Sequence, residues 1–420
     1  MISVGDRTVN TIEIEDAWND CDEKEYLMHT IHAYPAKFPA FIATKAFDYA
    51  ESEGVIINKV ADIFCGCGTV ALEAKAHGKE FWGCDINPVA TLIAKAKSSV
   101  YCSSEMERYY TEIKRYFESK SVDSNIYKNA NDRLKYWYTS DSYIELFKLK
   151  KAIINTVHDG TYQNAFLCIF SSILKSASRW LTKSIKPQVD PEKNEINIWN
   201  TFETHYKKFF RAVDELVDVY NNESAIRIET CNFLEQSDVP NVDLIISSPP
   251  YVTSYEYADL HQLSTLWLGY ADDYKELRQG SIGSSYNSKE YDIDLDSLNN
   301  IGRSIVEELQ GGNKATAKIK AIARYYVDIQ NAINNCAAML NEGGMAFFVV
   351  GDTEYKGVQI LNSEHLIQSM RDEGFQDIKA SRRIISKKLL TPYRDAKGKF
   401  TSDKNSRAVY HEEFIITGRM

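Results

Sequence analysis

Two short apolar segments, separated by a glycine-rich turn and a helical stretch, constrain the fold of this chain more than any other feature. Residues 60–64 have the sequence VADIF and residues 80–85 the sequence EFWGCD. Each predicts a strand, and residues 70–77 between them predict a helix. Strand, helix and strand in this order form a βαβ unit, whose two strands run parallel. The chain is therefore expected to fold as an α/β protein around a mostly parallel sheet.

The turn after the first strand, residues 65–69, has the sequence CGCGT. Gly66 and Gly68 let the backbone turn tightly and approach a ligand without a Cβ in the way. Thr69 is expected to cap the next helix, whose N-terminus favours a carboxylate. Ala71 stands at the third glycine position of the dinucleotide fingerprint, and no Gly-Lys-Ser/Thr follows as in a P-loop.

The second strand ends in Asp85, 17 positions past Gly68. An acid at this strand end is placed to accept both hydroxyls of a ribose. Asn87 and Pro88 then open a helix. A nucleoside site with a phosphate-free glycine loop indicates S-adenosylmethionine as the cofactor, in preference to a dinucleotide.

A third apolar strand, residues 243–247, is stopped by two prolines and a tyrosine. The Ser248 hydroxyl and the carbonyl groups around Pro249 and Pro250, which have no N–H, form a corner that accepts hydrogen bonds from an amine. Tyr251 adds an aromatic face on which a planar base can stack.

The sequence SPPY at residues 248–251 resembles the catalytic motif of DNA amino-methyltransferases, and its serine form is most typical of the cytosine-N4 group. An aspartate in place of the serine is more typical of adenine-N6 enzymes. Residues 62–68 resemble the D-x-F-x-G-x-G loop that holds the methionine part of S-adenosylmethionine. Residues 32–39 resemble the HxYPAKFP segment that precedes this loop and lines the same end of the cofactor.

The resemblance implies a seven-stranded, mostly parallel Rossmann-like methyltransferase sheet with an antiparallel last strand. It implies that Ser248, Pro249, Pro250 and Tyr251 are catalytic. At the end of the strand near residues 225–232, where related enzymes carry an acid for the adenine amine, the spacing places Cys231 or Asn232. The expected cofactor-binding residues are Lys37, Phe38, Pro39, Asp62, Phe64, Gly66, Gly68, Thr69, Asp85, Asn87, Asn232 and Ser247.

The expected organisation is a cofactor-binding half at residues 1–98, a helical insertion at 99–224 and a catalytic half at 225–420. The insertion is expected either to recognise the target or to form a cap over the cofactor. The candidates to line a nucleic-acid channel are Lys175, Arg179, Lys183 and Lys186. Residues 270–320 are polar and are expected to form a mobile loop over the active site. Residues 379–407 carry ten Lys or Arg against two Asp, as a DNA-backbone-binding segment would.

Composition narrows the class of protein further. The net charge of −10 argues against a general nucleic-acid binder, so that any DNA contact must come from local basic surface. No apolar run of 18 residues and no leader-like start is present, which favours a cytoplasmic location and no membrane contact. The eight cysteines show no CxxC spacing, so reduced thiols are favoured over a metal site near Cys65 and Cys67.

These features predict a site-specific enzyme that methylates the N4 amine of cytosine in duplex DNA after flipping the base, in restriction-modification or phage defence. Its partners would be double-stranded DNA and a cognate restriction endonuclease or defence subunit. Adenine-N6 methylation is the first alternative. An RNA base methyltransferase and a non-catalytic DNA-binding subunit are the others.

Overall fold

The structure, a computed structural model, describes residues 1–4, 9, 12–19, 25–35, 37, 39–219, 224–250, 252, 256–284, 291–313, 315–385, 393–394, 403, 407–408 and 412–420. Phe38, Tyr251 and most of the basic segment 379–407 lie outside these ranges.

The described chain is organised around one eight-stranded sheet. Its strands are β1 (Ile2–Ser3), β2 (Lys59–Asp62), β3 (Glu80–Asp85), β4 (Ile226–Thr230), β5 (Val242–Ser247), β6 (Leu340–Val350), β9 (Gln376–Ile384) and β12 (Glu412–Arg419). They lie in the order β1-β9-β12-β6-β5-β2-β3-β4. Two short hairpins stand apart: β7 (Thr353–Tyr355) with β8 (Val358–Ile360), and β10 (Tyr393–Arg394) with β11 (Arg407–Ala408).

The pairing of the strands confirms the predicted fold class. Strands β4, β3, β2, β5 and β6 are mutually parallel, whereas β12 is antiparallel to both of its neighbours, β6 and β9. The predicted seven strands are present, and the two-residue β1 adds an eighth at the edge, antiparallel to β9. The chain reverses its winding direction between β2 and β5, which is where ligands bind in open α/β sheets.

Helices cover both faces of the sheet because neighbouring strand residues are apolar on both sides. Along β5, Leu244 and Ile246 belong to one buried cluster and Ile245 to the other. One face is covered by α1 (Ala40–Ser52) and α2 (Thr69–Ala76). The other face is covered by α11 (Asn300–Gln310), α12 (Ala317–Met339) and α13 (Asn362–Asp372).

The insertion forms a third apolar cluster of its own, which also includes residues of α3 (Pro88–Ser98) and α10 (Gln262–Leu268). Its helices are α4 (Ser103–Ser119), α5 (Asp132–Trp137), α6 (Ser140–Thr156), α7 (Gly160–Ala177) and α8 (Ile198–Leu216). Amphipathic spacing in the sequence predicts helices near residues 105–119, 142–157, 162–181 and 202–220, and the four long helices begin two to four residues before these. The short α5 was not predicted.

Two predictions about the second half of the chain need revision. Apolar spacing over residues 255–269 predicts one helix after the SPPY corner, but this stretch is broken at His261 into α9 (Tyr257–Leu260) and α10. Residues 270–320 contain the 11-residue helix α11, so they are not a continuous loop. In the part of the chain that the structure describes, no helix is long and apolar enough to cross a membrane.

Candidate active site

One cavity opens at the carboxyl ends of the parallel strands and encloses about 1050 Å³ of empty space, part of which is open to solvent. The lining includes the two acids and the proline corner that the sequence singled out. The lining residues are Tyr34, Lys37, Asp62, Ile63, Phe64, Cys65, Gly66, Cys67, Thr69, Asp85, Ile86, Asn87, Cys231, Asn232, Phe233, Ser248, Pro250, Tyr257, Ala258, Leu277, Gly280, Ser281 and Ile282.

The corner at the end of β5 holds two serines with different roles. Ser247 is fully buried, and its Oγ donates to Asp62 Oδ1 at 2.6 Å. Ser248 lies on the cavity wall, and its Oγ donates to the carbonyl oxygen of Val349 on β6 at 2.9 Å. Because the hydroxyl hydrogen of Ser248 is used in this bond, its oxygen presents lone pairs as an acceptor.

Asp62 is a buried acid between the glycine loop and the corner. Its Oδ1 accepts hydrogen bonds from the Ser247 hydroxyl and from the backbone N–H of Phe64. Burial raises the pKa of Asp62 to about 7, against these two bonds, and the charge of Asp85 raises it further. A positive charge placed in the cavity would stabilise the ionised form of Asp62.

Asp85 holds the glycine loop and the start of α3 together. Its Oδ2 accepts from Gly66 N at 2.9 Å and its Oδ1 from Asn87 N at 2.8 Å. Burial raises the pKa of Asp85 to about 6, although both hydrogen bonds lower it. Each carboxylate oxygen retains acceptor capacity after these bonds, which is what a pair of ribose hydroxyls needs.

The helix after Asp85 begins as predicted. Asn87 is the N-cap of α3, its Oδ1 accepts from Val89 N at 3.0 Å, and Pro88 is the first helical residue. The other helix start differs from the prediction, because Gly68 and not Thr69 occupies the N-cap of α2. Gly68 has φ +76, and a Cβ there would lie 2.7 Å from the backbone of Ala94 in α3. This glycine therefore permits the close approach of two helices and lies outside the cavity lining.

The segment before α1 contributes Tyr34 and Lys37 to the cavity wall. Lys37 Nζ donates to Glu25 Oε2 and to the His29 carbonyl oxygen, both at 3.1 Å. The ring of His29 is buried and hydrogen-bonds Glu73 Oε1 through Nε2 at 2.7 Å. The Tyr34 ring stacks on His261, with centroids 4.9 Å apart. These contacts fix the segment to α2 and to the start of α10.

Most of the predicted site residues that the structure describes are brought together. The predicted cofactor residues in the lining are Lys37, Asp62, Phe64, Gly66, Thr69, Asp85, Asn87 and Asn232, and those of the corner are Ser248 and Pro250. Pro39, Gly68, Ser247 and Pro249 do not line the cavity. Pro39 is the N-cap of α1, and Ser247 acts through its bond to Asp62.

The sequence analysis did not predict the cavity-lining residues that follow the SPPY corner in the chain. Tyr257 and Ala258 of α9, and Leu277, Gly280, Ser281 and Ile282 farther on, all line the cavity. None of these residues belongs to a recognisable sequence motif. Tyr34, which also lines the cavity and was not predicted, could have been found because it lies inside the HxYPAKFP segment. No group of three or more His, Cys, Asp or Glu side chains within the described ranges could hold a metal ion.

The lining fits S-adenosylmethionine, which combines a flat adenine, a ribose diol and a positively charged sulfonium. Ile86 and Phe233 supply apolar surface, Asp85 supplies acceptors for the diol, and Asp62 supplies negative charge. Asn87 Nδ2 is buried and has no hydrogen-bond partner among the described residues. Since buried polar groups are normally paired, this donor is available to a ligand.

Comparison with known proteins identifies the family. A family model described as D12 class N6 adenine-specific DNA methyltransferase matches residues 50–290, more than half of the 420 residues. The chain is 25% identical over 364 residues to the type II methyltransferase M.MvaI of Kocuria varians, covering 80% of this chain and 79% of that protein. It is 21% identical over 345 residues to the type II methyltransferase M.AvaI of Nostoc sp. (strain PCC 7120), covering 74% of this chain and 71% of that protein.

Among solved structures, TrmN from Thermus thermophilus matches with a TM-score of 0.30 and 10% identity, over 91% of this chain and 49% of that chain. A likeness at this score carries no argument about fold or function.

The family match overturns one expectation drawn from the sequence. The serine of SPPY pointed to the cytosine-N4 type, but the family whose model matches is adenine-specific. The serine form is therefore a poor guide to the target base, because hydroxyl and carboxylate oxygens both accept a hydrogen bond from an exocyclic amine. The fold, cofactor and reaction class are retained: the protein is an S-adenosylmethionine-dependent DNA methyltransferase. The chain belongs to the D12 class N6 adenine-specific DNA methyltransferase family.

Proposed function

We propose that this protein transfers a methyl group to the N6 amine of adenine within a specific sequence of duplex DNA, as the methyltransferase of a type II restriction-modification system. The observation that carries the choice of base is the adenine-specific family match over residues 50–290, the part of the chain that holds both the glycine loop and the corner. The type II names of the similar proteins support the restriction-modification setting. A cognate restriction endonuclease is the partner that this setting implies.

The chain's own residues would activate the amine. The lone pair of an exocyclic amine is delocalised into the ring, which makes it a poor nucleophile. The Ser248 oxygen, whose hydrogen is donated to Val349, would accept one amine hydrogen. The carbonyl of Pro249, which lies between the lining residues Ser248 and Pro250, would accept the other once the base has entered. Two acceptors fixed by a rigid proline corner favour a pyramidal nitrogen whose lone pair points into the cavity.

The cofactor, when bound, supplies the electrophilic methyl group. Asp85 and Asn87 would hold its ribose end and Asp62 would face its positive charge, while Lys37, Phe64 and Gly66 would contact the methionine part. Asn232 is proposed to take the place of the acid that contacts the adenine in related enzymes. Because the target amine is inside a duplex, the base must flip out to reach the corner, and we assign Tyr251 to stack on it.

Nucleoside mass spectrometry of plasmid DNA from cells expressing the protein tests the proposal. We expect N6-methyladenine with the unaltered chain and at least about a hundredfold less with Ser248→Ala, since that change removes a positioned acceptor. Ser99→Ala is the matched control, because Ser99 is half-buried like Ser248 and also donates to a backbone carbonyl, but does not line the cavity. N4-methylcytosine in place of N6-methyladenine would refute the choice of base and leave the corner chemistry intact.

A further inference from the structure

Residues 277–284, called the strap here, lie between the cavity and solvent, since four of them line the cavity and are also partly exposed. Leu277, Gly280, Ser281 and Ile282 belong to its lining, although they lie far from every motif in the sequence. The strap is one of the parts of the wall that are not strand ends, as are the segment with Tyr34 and Lys37 and the helix α9.

Two side-chain contacts fasten the strap to the start of α9. Arg278 donates from Nη2 to Asp259 Oδ1 at 2.6 Å and from Nε to the same oxygen at 3.2 Å. Ser284 Oγ donates to Glu256 Oε2 at 3.0 Å. Arg278 and Asp259 are 23% and 28% exposed, so solvent screens this ion pair only in part. The same short helix contributes Tyr257 and Ala258 to the cavity wall.

The strap reaches the adenosine end of the cavity through a glycine. Gly280 has φ +75, and a Cβ there would lie 2.9 Å from Ile86 Cδ1 and 3.7 Å from Asn232 Nδ2. Ile86 directly follows the predicted ribose acid Asp85. Because the atom it meets is the terminal methyl group of Ile86, a larger residue at position 280 would displace either that side chain or the strap and so loosen the contact between them.

We propose that Arg278 and Asp259 are positioning residues whose ion pair holds the strap over the adenosine end and sets the rate at which S-adenosylmethionine and its spent form pass through the mouth. Neither Arg278 nor Asp259 lines the cavity, so the ion pair acts on the strap and not on the ligand. A latch of this kind changes the barrier to exchange in both directions and leaves the affinity nearly unchanged. The inference depends on the cofactor and not on the target base.

The test measures binding of tritiated S-adenosylmethionine by rapid mixing and its release by chase with unlabelled cofactor. For Arg278→Gln we expect association and dissociation both to become about three to ten times faster, with Kd within about twofold of the original, as loss of one partly exposed ion pair allows. The exchanged pair Arg278→Asp with Asp259→Arg should restore slow exchange. Arg303→Gln is the control. It removes an ion pair in which Arg303 Nη2 lies 2.5 Å from Asp296 Oδ1, and because neither residue lines the cavity, both rates should remain unchanged.

Two glycine variants provide a second test that does not depend on the ion pair. Gly280→Ala should speed release, because its Cβ would force the Ile86 side chain and the strap apart at their contact. Gly269→Ala has the same φ of +75, but its Cβ would meet no atom within 4 Å among the described residues, so it controls for backbone strain alone. Unchanged exchange rates in folded Arg278→Gln and Gly280→Ala proteins would overturn the proposal. A raised Kd with slower association would also overturn the proposal, because that result would indicate a damaged binding site and not a faster passage of the cofactor.

Discussion

At the scale of single residues, the buried acid Asp62 makes the stability of the protein depend on pH. Its pKa is about 7 in the fold, against 3.8 in an unfolded chain. Between these values the folded protein retains a proton that the unfolded chain has released, so stability falls as pH rises through this window. The contribution is complete below about pH 3.8 and is lost above about pH 7.

We therefore expect Asp62→Asn, without cofactor, to be more stable than the original protein at pH 8, by up to a few kcal/mol, with the difference disappearing towards pH 4. The asparagine oxygen retains both acceptor bonds, to Ser247 and to the Phe64 N–H, while the charge is removed. Urea unfolding across this pH range measures the effect. Equal stabilities at pH 8 would contradict it.

Asp243 provides a control, because its pKa is shifted in the opposite direction to that of Asp62. It accepts hydrogen bonds from the backbone N–H groups of Asn58 and Lys59 and from the Asn341 side chain. These bonds outweigh partial burial, the largest single influence, and hold the pKa of Asp243 below its usual value. Its contribution is present at neutral pH and is lost as pH falls through the lowered pKa. Asp243→Asn should therefore destabilise the protein at pH 8, and the loss should shrink in acid.

Residue by residue, the sequence predicted the polar half of the site better than the apolar half. Asp62, Asp85 and Asn87 could be placed because polar side chains at the ends of buried parallel strands lie at the edge of the sheet where ligands bind. Leu277 and Ile282 could not be placed, because an aliphatic residue on a cavity wall has the same pattern as one in the core. Their position depends on how the strap folds back, which local sequence does not encode.

At the scale of elements, one buried glutamine joins the helical insertion to the catalytic half. Gln262 of α10 is fully buried, and its Oε1 accepts from Arg133 Nε at 2.7 Å and from Trp137 Nε1 at 2.9 Å, both on α5. Gln262→Leu would leave two donors of the insertion without this acceptor. We expect a loss of about 2–4 kcal/mol in unfolding free energy, measured in urea. The exposed Gln376→Leu should change it by less than about 0.5 kcal/mol.

A short hairpin in the insertion presents two basic side chains to solvent. Residues 179–190 form a hairpin closed by a bridge between Trp180 and Val189. Trp180 stacks on Trp137 with ring centroids 5.0 Å apart. Lys183 and Lys186 near its tip are exposed, whereas Lys175 and Arg179 donate to backbone carbonyls and so serve the local structure.

If the hairpin contacts the DNA backbone, replacing Lys183 and Lys186 by alanine should weaken binding to all duplexes and reduce the slope of log affinity against log salt by about 2. Fluorescence anisotropy at several salt concentrations measures both quantities. Lys59→Ala is the control. Lys59 is the first residue of β2 and pairs with Glu80, so it lies at the amino ends of the parallel strands, whereas the cavity lies at their carboxyl ends. An unchanged slope in the double variant would assign DNA contact to another surface.

The elements themselves were largely predictable, and the exception is instructive. Apolar runs stopped by glycine or proline located β2, β3 and β5, since these strands are buried on both faces. The break between α9 and α10 escaped prediction because apolar spacing continues through it. The backbone leaves the helix at His261, whose ring stacks on Tyr34 from a segment more than 200 residues earlier.

At the scale of the whole molecule, the cavity joins segments from both halves of the sheet, so a ligand in it stabilises the fold as a unit. S-adenosylhomocysteine at a hundred times its Kd should add about 2.7 kcal/mol to the unfolding free energy. Differential scanning fluorimetry should show a rise of several degrees in Tm. Asp85→Asn should show a smaller rise at the same ligand concentration, because it weakens the ribose site. An equal rise would argue against Asp85 as a ligand.

The central pair of strands has a consequence for how the protein is made. β2 pairs with β5, and the cavity wall extends from Tyr34 to Ile282, which lie 248 positions apart. At about 5–20 residues per second, a ribosome needs roughly 12–50 s to add the residues between the first and last parts of this wall. A nascent chain has no complete cofactor site during that interval. In a cell that also synthesises a matching endonuclease, methylation can begin only after this delay, so the order in which the two proteins are synthesised would decide whether the host's own DNA is protected in time.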